Sequence, residues 1–153
     1  MEEIRILEMT EEHGPQVAAI EAEVFTCPWS PKGFLDTLYQ DNVRFFVAVK
    51  EISGETLVAG YCGIYMAADE GEITNVAVKP GFRRGHMGDA LLEPVISHCE
   101  CNGISQIFLE VRVSNEAAIR LYKKHGFATV GIRKNFYEKP AEDAYIMCRK
   151  NCP

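Results

Sequence analysis

A chain of 153 residues with 47% hydrophobic and 25% charged content is long enough for one domain with a sizeable core and too apolar for intrinsic disorder. Its formal net charge of -6 repels phosphate backbones and anionic bilayers, so direct nucleic-acid or membrane-surface binding is disfavoured and a basic partner is suited. The acidic start, MEEIRILEMTEE, lacks a secretory signal pattern, and the longest near-apolar run, 57–68, falls short of the roughly 20 residues a membrane helix needs. A cytoplasmic protein is expected.

Val17, Ile20, Val24 and Phe25 recur at helical spacing and predict a first helix over 12–24. Ser30-Pro31 then reads as a cap followed by proline at the first helical position, opening a short helix towards Tyr39. Three strands come next, at 44–50, 56–66 and 72–78, divided by Ser53-Gly54 and Asp69-Glu70-Gly71. Their short connections predict an antiparallel meander. Over 87–101 the period changes, with Leu91, Leu92, Val95, Ile96 and Cys99 on one helical face and a bend expected at Pro94. A strand at 107–113, a helix at 115–125 stopped by Gly126, and strands near 127–134 and 144–149 complete the chain. The order predicts an α/β architecture, a mixed sheet with helices packed on it, in a single domain spanning 1–153.

Six cysteines, Cys27, Cys62, Cys99, Cys101, Cys148 and Cys152, sit mostly inside hydrophobic segments, with no CxxC pair and no Cys/His ladder. They are expected to be reduced packing residues, and no metal is expected.

Two stretches carry chemistry. The first is VAVKPGFRRGHMGDALL, residues 76–92, where a strand runs through a Gly- and Arg-rich turn into a helix. The first turn of a helix leaves about four amide N–H groups without partners, and their dipoles converge on one point. Such a mouth binds a pyrophosphate, with Arg83 and Arg84 adding charge and Gly85 and Gly88 allowing close approach. A strand-to-helix turn with two solvated arginines explains the same letters. No GK[ST] motif completes the turn, so it is not a P-loop, and it does not sit at a first βα unit as a dinucleotide turn would.

The second stretch is FLEVRVSNEAAIRLYKKHGF, residues 108–127. Strand alternation turns Ile107, Leu109 and Val111 one way and Phe108, Glu110 and Arg112 the other. Glu110 is then a carboxylate in a strongly apolar strand, either solvent-facing or functional. Tyr122, on the next helix, is either a packing aromatic or a proton donor.

Together these stretches resemble the GNAT acetyltransferases. Residues 83–88, RRGHMG, are similar to that family's Q/R-x-x-G-x-G/A signature, with His86 in place of the first motif glycine. The resemblance implies a mostly antiparallel seven-stranded sheet flanked by about four helices, and acetyl-coenzyme A as co-substrate. It implies that pantetheine pairs with Val76, Ala77 and Val78, and that the pyrophosphate rests on the amides of Arg84, Gly85, His86, Met87, Gly88 and Asp89. Residues 109–127 resemble the RimI branch in particular, the ribosomal-protein-alanine N-acetyltransferases, which implies Glu110 as general base, Tyr122 as general acid and Asn115 as a cofactor contact. CPWSPKGF, 27–34, and IRKNFYEKPAEDAYIM, 132–147, are similar to the same branch at the acceptor groove, which implies substrate contacts for Trp29, Ser30 and Tyr137. Trp29 as a core plug, and Glu142 and Asp143 as a solvated turn, remain open beside that implication.

The implied roles suit the reaction. An α-amine titrates at about 7.7–8.0 and is mostly protonated at neutral pH, so a base must free it. The oxyanion then needs an N–H donor, expected on the Val76–Val78 strand, and the leaving thiolate needs a proton from the phenol. No cysteine nucleophile is required. The expected acceptor is the N-terminal alanine of a basic ribosomal protein, the enzyme acting as monomer or weak dimer. Acetylation of a small-molecule amine, or coenzyme A binding without catalysis, are the alternatives.

Overall fold

The strand order is β1-β2-β3-β4-β5-β7-β6, and every neighbouring pair is antiparallel except β4 with β5. Those strands are β1 (Arg5–Glu8), β2 (Val43–Ile52), β3 (Glu55–Ala67), β4 (Glu70–Val78), β5 (Gln106–Arg112), β6 (Ala128–Tyr137) and β7 (Glu142–Lys150). The helices are α1 (Gly14–Val24), α2 (Pro31–Leu38), α3 (Met87–Cys101) and α4 (Glu116–Lys124). This is a computed structural model, and it describes residues 4–25, 29–38, 40–83 and 86–151. The expected seven-stranded sheet with four helices is the architecture found.

Both faces of the sheet are covered, which is why the central strands are apolar on successive residues rather than alternate ones. In β2, Phe45, Val47 and Val49 pack with Val17, Ile20 and Phe34 of α1 and α2, while Phe46 and Ala48 belong to the opposite cluster. That second cluster joins Leu91, Leu92 and Val95 of α3 to Ile107, Leu109 and Met147. Burying a large aliphatic or aromatic side chain of this kind contributes about 1.5–3 kcal/mol, so the two layers clamp the sheet between them.

Several expectations are refined. β1 was not expected: it is four residues long, too short to show a period, and forms because it pairs Arg5 with Val49 along the edge of β2. α3 runs across Pro94 from Met87 to Cys101. β6 and β7 extend to Tyr137 and back from Glu142, shortening the polar loop between them. Glu142 and Asp143 are not a solvated turn, since Glu142 accepts from the Ser114 N–H at 2.7 Å and Asp143 from the Asn135 N–H at 2.9 Å. Cys62, Cys99, Cys101 and Cys148 are unbridged thiols, while Cys27 and Cys152 lie outside the described residues.

The feature that places the site lies at the sheet's centre. β4 pairs with β5 over three residues, Glu70 with Gln106, Gly71 with Ile107 and Glu72 with Phe108. Beyond Glu72 the described residues give that edge of β4 no strand partner, and the strands part as a wedge. On its other edge β4 carries a bulge: Ile73 faces Ile64 and Asn75 faces Gly63, with Thr74 the extra residue between. A bulge of one residue turns the rest of the strand onto the opposite face. Ile73 therefore packs in the α3 cluster, while Asn75 and Ala77 face α1.

Candidate active site

The wedge holds a cavity of about 690 Å³. β4 supplies Glu72 to Val76 to its wall and β5 supplies Leu109 to Arg112. The end of α1, Trp29, Asn115, Tyr122, Phe136 and Tyr137 close the remaining sides.

Glu110 and Tyr122 meet on this one cavity. Glu110 projects from the face of β5 opposite the buried Ile107, Leu109 and Val111, and its side chain is 19% exposed. Burial, reinforced by the neighbouring Glu72 carboxylate, holds its carboxyl above the usual range, and Arg133 opposes both. The Arg133 Nε lies 3.8 Å from Glu110 Oε1. Tyr122 is buried on α4, edge-on to Phe127 with ring centroids 5.9 Å apart. Burial, with the nearby Cys62 and Tyr137, pushes its phenol well above the ordinary value, so it keeps its proton. The Cys62 thiol is also raised by burial, which disfavours the thiolate a nucleophile would need.

The expected acceptor-side residues divide. Trp29 is both packing residue and cavity wall: its ring lies 5.2 Å from Phe34 and 6.0 Å from Phe45. Tyr137 lines the cavity beneath the Arg112 guanidinium, 4.2 Å above its ring. Arg112 is fixed in turn by Glu142 at 3.2 Å and the Pro140 carbonyl at 2.9 Å. Ser30 is not part of the wall. It is exposed, and its hydroxyl accepts the Gly33 N–H at 3.0 Å, capping α2.

Of the residues expected on the cofactor side, the described ones of 76–89 lie along the open edge of β4 and the mouth of α3. Val76, Ala77 and Val78 pair with Cys62, Tyr61 and Gly60 on one edge, leaving the other towards the wedge. Arg83 is exposed and donates to the Val78 carbonyl at 3.2 Å; Arg84 and Gly85 lie outside the described residues. His86 adopts the left-handed conformation that a glycine would favour, φ +56°, with its side chain 85% exposed. The first bond of α3 runs from the Ala90 N–H to the His86 carbonyl, so helix geometry leaves the amides of Met87, Gly88 and Asp89 facing outward. Those amides fit an anionic group.

Two residues of this turn also serve the fold. A Cβ on Gly88 would stand 2.7 Å from Leu121 Cδ2, so that glycine lets α3 approach α4, which the expectation of ligand approach did not include. The Asp89 carboxylate is held by His125 at 2.7 Å and Lys124 at 3.0 Å, leaving its amide for a ligand. Asn115 caps α4, accepting the Ala118 N–H at 3.2 Å, while also lining the cavity.

Glu21, Glu72 and Asn75 were not anticipated. Glu21 is buried on α1, where it accepts from the Tyr61 hydroxyl, from Asn75 Nδ2 at 3.1 Å and from the Trp29 N–H at 2.7 Å. The available signal was a carboxylate one helical turn from Val17 on an apolar face. Among the cavity's residues, Glu21, Glu72, Glu110 and Glu138 outweigh the single guanidinium of Arg112, so the site favours a cationic occupant.

The pattern described as the Acetyltransferase (GNAT) family matches residues 14–127. A Bacillus subtilis (strain 168) protein, provisionally named a ribosomal protein bS18-alanine N-acetyltransferase, is 39% identical over 131 residues, covering 86% of this chain and 85% of that protein. An Escherichia coli (strain K12) protein named a ribosomal protein bS18-alanine N-acetyltransferase is 35% identical over 135 residues, 87% of this chain and 88% of its own. The crystal structure of the ribosomal-protein-S18-alanine N-acetyltransferase from Escherichia coli superposes with a TM-score of 0.85 at 33% identity, covering 97% of this chain and 94% of that one.

Proposed function

Because the chain belongs to the GNAT acetyltransferase family, we propose that it moves an acetyl group from acetyl-coenzyme A to the α-amine of an N-terminal alanine on the small-subunit ribosomal protein bS18. In this reading residues 1–153 act as one acetyltransferase domain. The observation that carries it is that Glu110 and Tyr122 line one cavity where β4 and β5 part. The acidic lining supports a cationic acceptor, since an α-ammonium and basic residues behind it are drawn to carboxylates.

Acetyl-coenzyme A supplies an activated acetyl thioester when bound. The mouth of α3 receives its phosphates on backbone amides, and the open edge of β4 pairs its pantetheine arm. Glu110, directly or through one water, takes the proton that the ammonium must lose. Its raised affinity for protons brings it nearer the operating pH, where a base is most effective. N–H groups on the open edge of β4 offer donors to the oxygen that gains charge. Tyr122, which keeps its proton until then, delivers it to the departing sulfur. The newly acylated nitrogen sheds its second proton to restore the phenol, and no covalent enzyme intermediate forms.

Mass spectrometry tests the assignment. A peptide matching the bS18 N-terminus, starting with alanine, gains one acetyl group at its α-amine when incubated with enzyme and acetyl-coenzyme A. An unmodified peptide beside acetylated spermidine overturns the reading in favour of a small-amine enzyme.

A further inference from the structure

Asn75 is one of the residues lining the cavity, and it holds an unmet buried acceptor. The residue is 7% exposed, its Nδ2 donates to Glu21 Oε1 at 3.1 Å, and its Oδ1 has no donor among the described residues. The reverse orientation of the amide would set that oxygen against the Glu21 carboxylate, so Glu21 fixes which end is which. The Thr74 bulge is what turns Asn75 to this side of β4. Burying a carbonyl without a donor costs stability, and a leucine of similar shape would avoid the cost. The fold therefore gains nothing from that oxygen.

An occupant of the cavity brings the donor. Resting on the acetyl-transfer reading, we propose that Asn75, its amide oriented by Glu21, accepts a hydrogen bond from the α-amine of the incoming peptide and so binds the nucleophile. A neutral amide suits the task, because it accepts from the ammonium and from the free amine alike without competing for the proton. Glu110 then removes a proton while Asn75 keeps hold of another N–H, and the lone pair, left on the side that faced Glu110, swings to the thioester as the amine turns about its contact with Asn75. Three N–H bonds become two, and the amide contact persists through the change. Glu21 acts through Asn75 and through the Trp29 backbone and is a positioning residue.

The test compares wild type with Asn75→Leu, using the alanine-initiated peptide and its des-amino analogue, in which hydrogen replaces the α-amine. Titration of each into enzyme saturated with coenzyme A gives affinity, and steady-state rates give KM for peptide and for acetyl-coenzyme A. Loss of a hydrogen bond to a charged group predicts peptide binding weaker by about 10–100-fold. Affinity for the des-amino analogue and KM for acetyl-coenzyme A stay as in wild type, while thermal stability falls because the buried Glu21 loses the Asn75 Nδ2 donor. If Asn75→Leu does not fold, Asn75→Ala carries the same comparison. Unchanged peptide affinity, or equal loss for both peptides, overturns the inference while the acetyltransferase reading stands. A raised KM for acetyl-coenzyme A alone also overturns it, by making the pantetheine arm the donor. A wild type that acetylates no peptide takes both down.

Discussion

Asp89 Oδ1 lies 2.7 Å from His125 Nε2, so the first turn of α3 is tied to the residue that ends α4. Lys124 reaches the same oxygen at 3.0 Å, and the two partners together hold the carboxyl at about 2, below its usual range. The mouth of α3 thus rests on an ion-paired strut. Asp89→Asn is expected to cost about 1–3 kcal/mol at pH 7, a Tm lower by a few degrees. Because the folded-state value lies below the unfolded one, the carboxylate's contribution is fully present above about pH 4. It is lost as pH falls towards 2. Denaturant unfolding across that window should show wild type and variant converging in acid; a constant gap would show that charge is not the cause.

Glu110 answers to its neighbours with opposite signs. Glu110→Gln should bind acetyl-coenzyme A normally and lose about 10²–10⁴-fold in kcat, as removal of a positioned base does. Glu72 raises the Glu110 titration and Arg133 lowers it. Glu72→Gln should therefore move the acidic limb of kcat/KM to lower pH, and Arg133→Gln should move it higher. Limbs that stay fixed in both variants would assign the titration to another group.

How much of this was legible in the letters differs by element. The amphipathic face of α3 emerges from its period, and the strands of the meander from apolar, branched and aromatic runs set between turn signals. Ser30 declared itself as a cap through the proline that follows it, and its hydroxyl accepts the Gly33 N–H. Asn75 was hidden: strict alternation places it beside Ile73 and Ala77, and no local signal marks the bulge at Thr74 that separates Ile73 from the other two. The wedge was hidden for a related reason. Where β5 leaves β4 depends on packing from both layers, so the residues that share the cavity come from distant parts of the chain. Glu21 lay between these cases, an evident misfit on an apolar helix whose partners, Tyr61 and Asn75, sit 40 and 54 residues away.

His86 stands where the family signature has glycine, and it takes the glycine's conformation. A left-handed backbone costs a side-chain-bearing residue about 1–2 kcal/mol, offset partly by the greater unfolded-state freedom of glycine. The imidazole is 85% exposed and touches Asp89 Oδ2 at 3.4 Å. His86→Gly should bind coenzyme A at least as tightly as wild type by isothermal titration, with a Tm within a few degrees. Binding weakened tenfold or more would mean that the imidazole itself contacts phosphate.

Gly88 sets how closely α3 and α4 approach. A methyl placed there would stand 2.7 Å from Leu121 Cδ2 and 3.5 Å from Cδ1, closer than carbon atoms pack. The clash falls on the end of a flexible side chain rather than on backbone, so a rotamer change relieves part of it. Gly88→Ala should still destabilise by about 1–3 kcal/mol, the usual cost of overpacking a core contact, despite alanine's better helix propensity. Leu121→Ala alone opens a cavity and should cost about 2–5 kcal/mol, reduced by the side chain's partial exposure. In the double variant the added methyl meets space instead of Leu121, so the combined loss should be smaller than the sum of the two by at least about 1 kcal/mol. Chemical denaturation of the four proteins measures that coupling. Strict additivity would mean that helix spacing, and with it the position of Tyr122 on α4, is set by contacts other than this glycine.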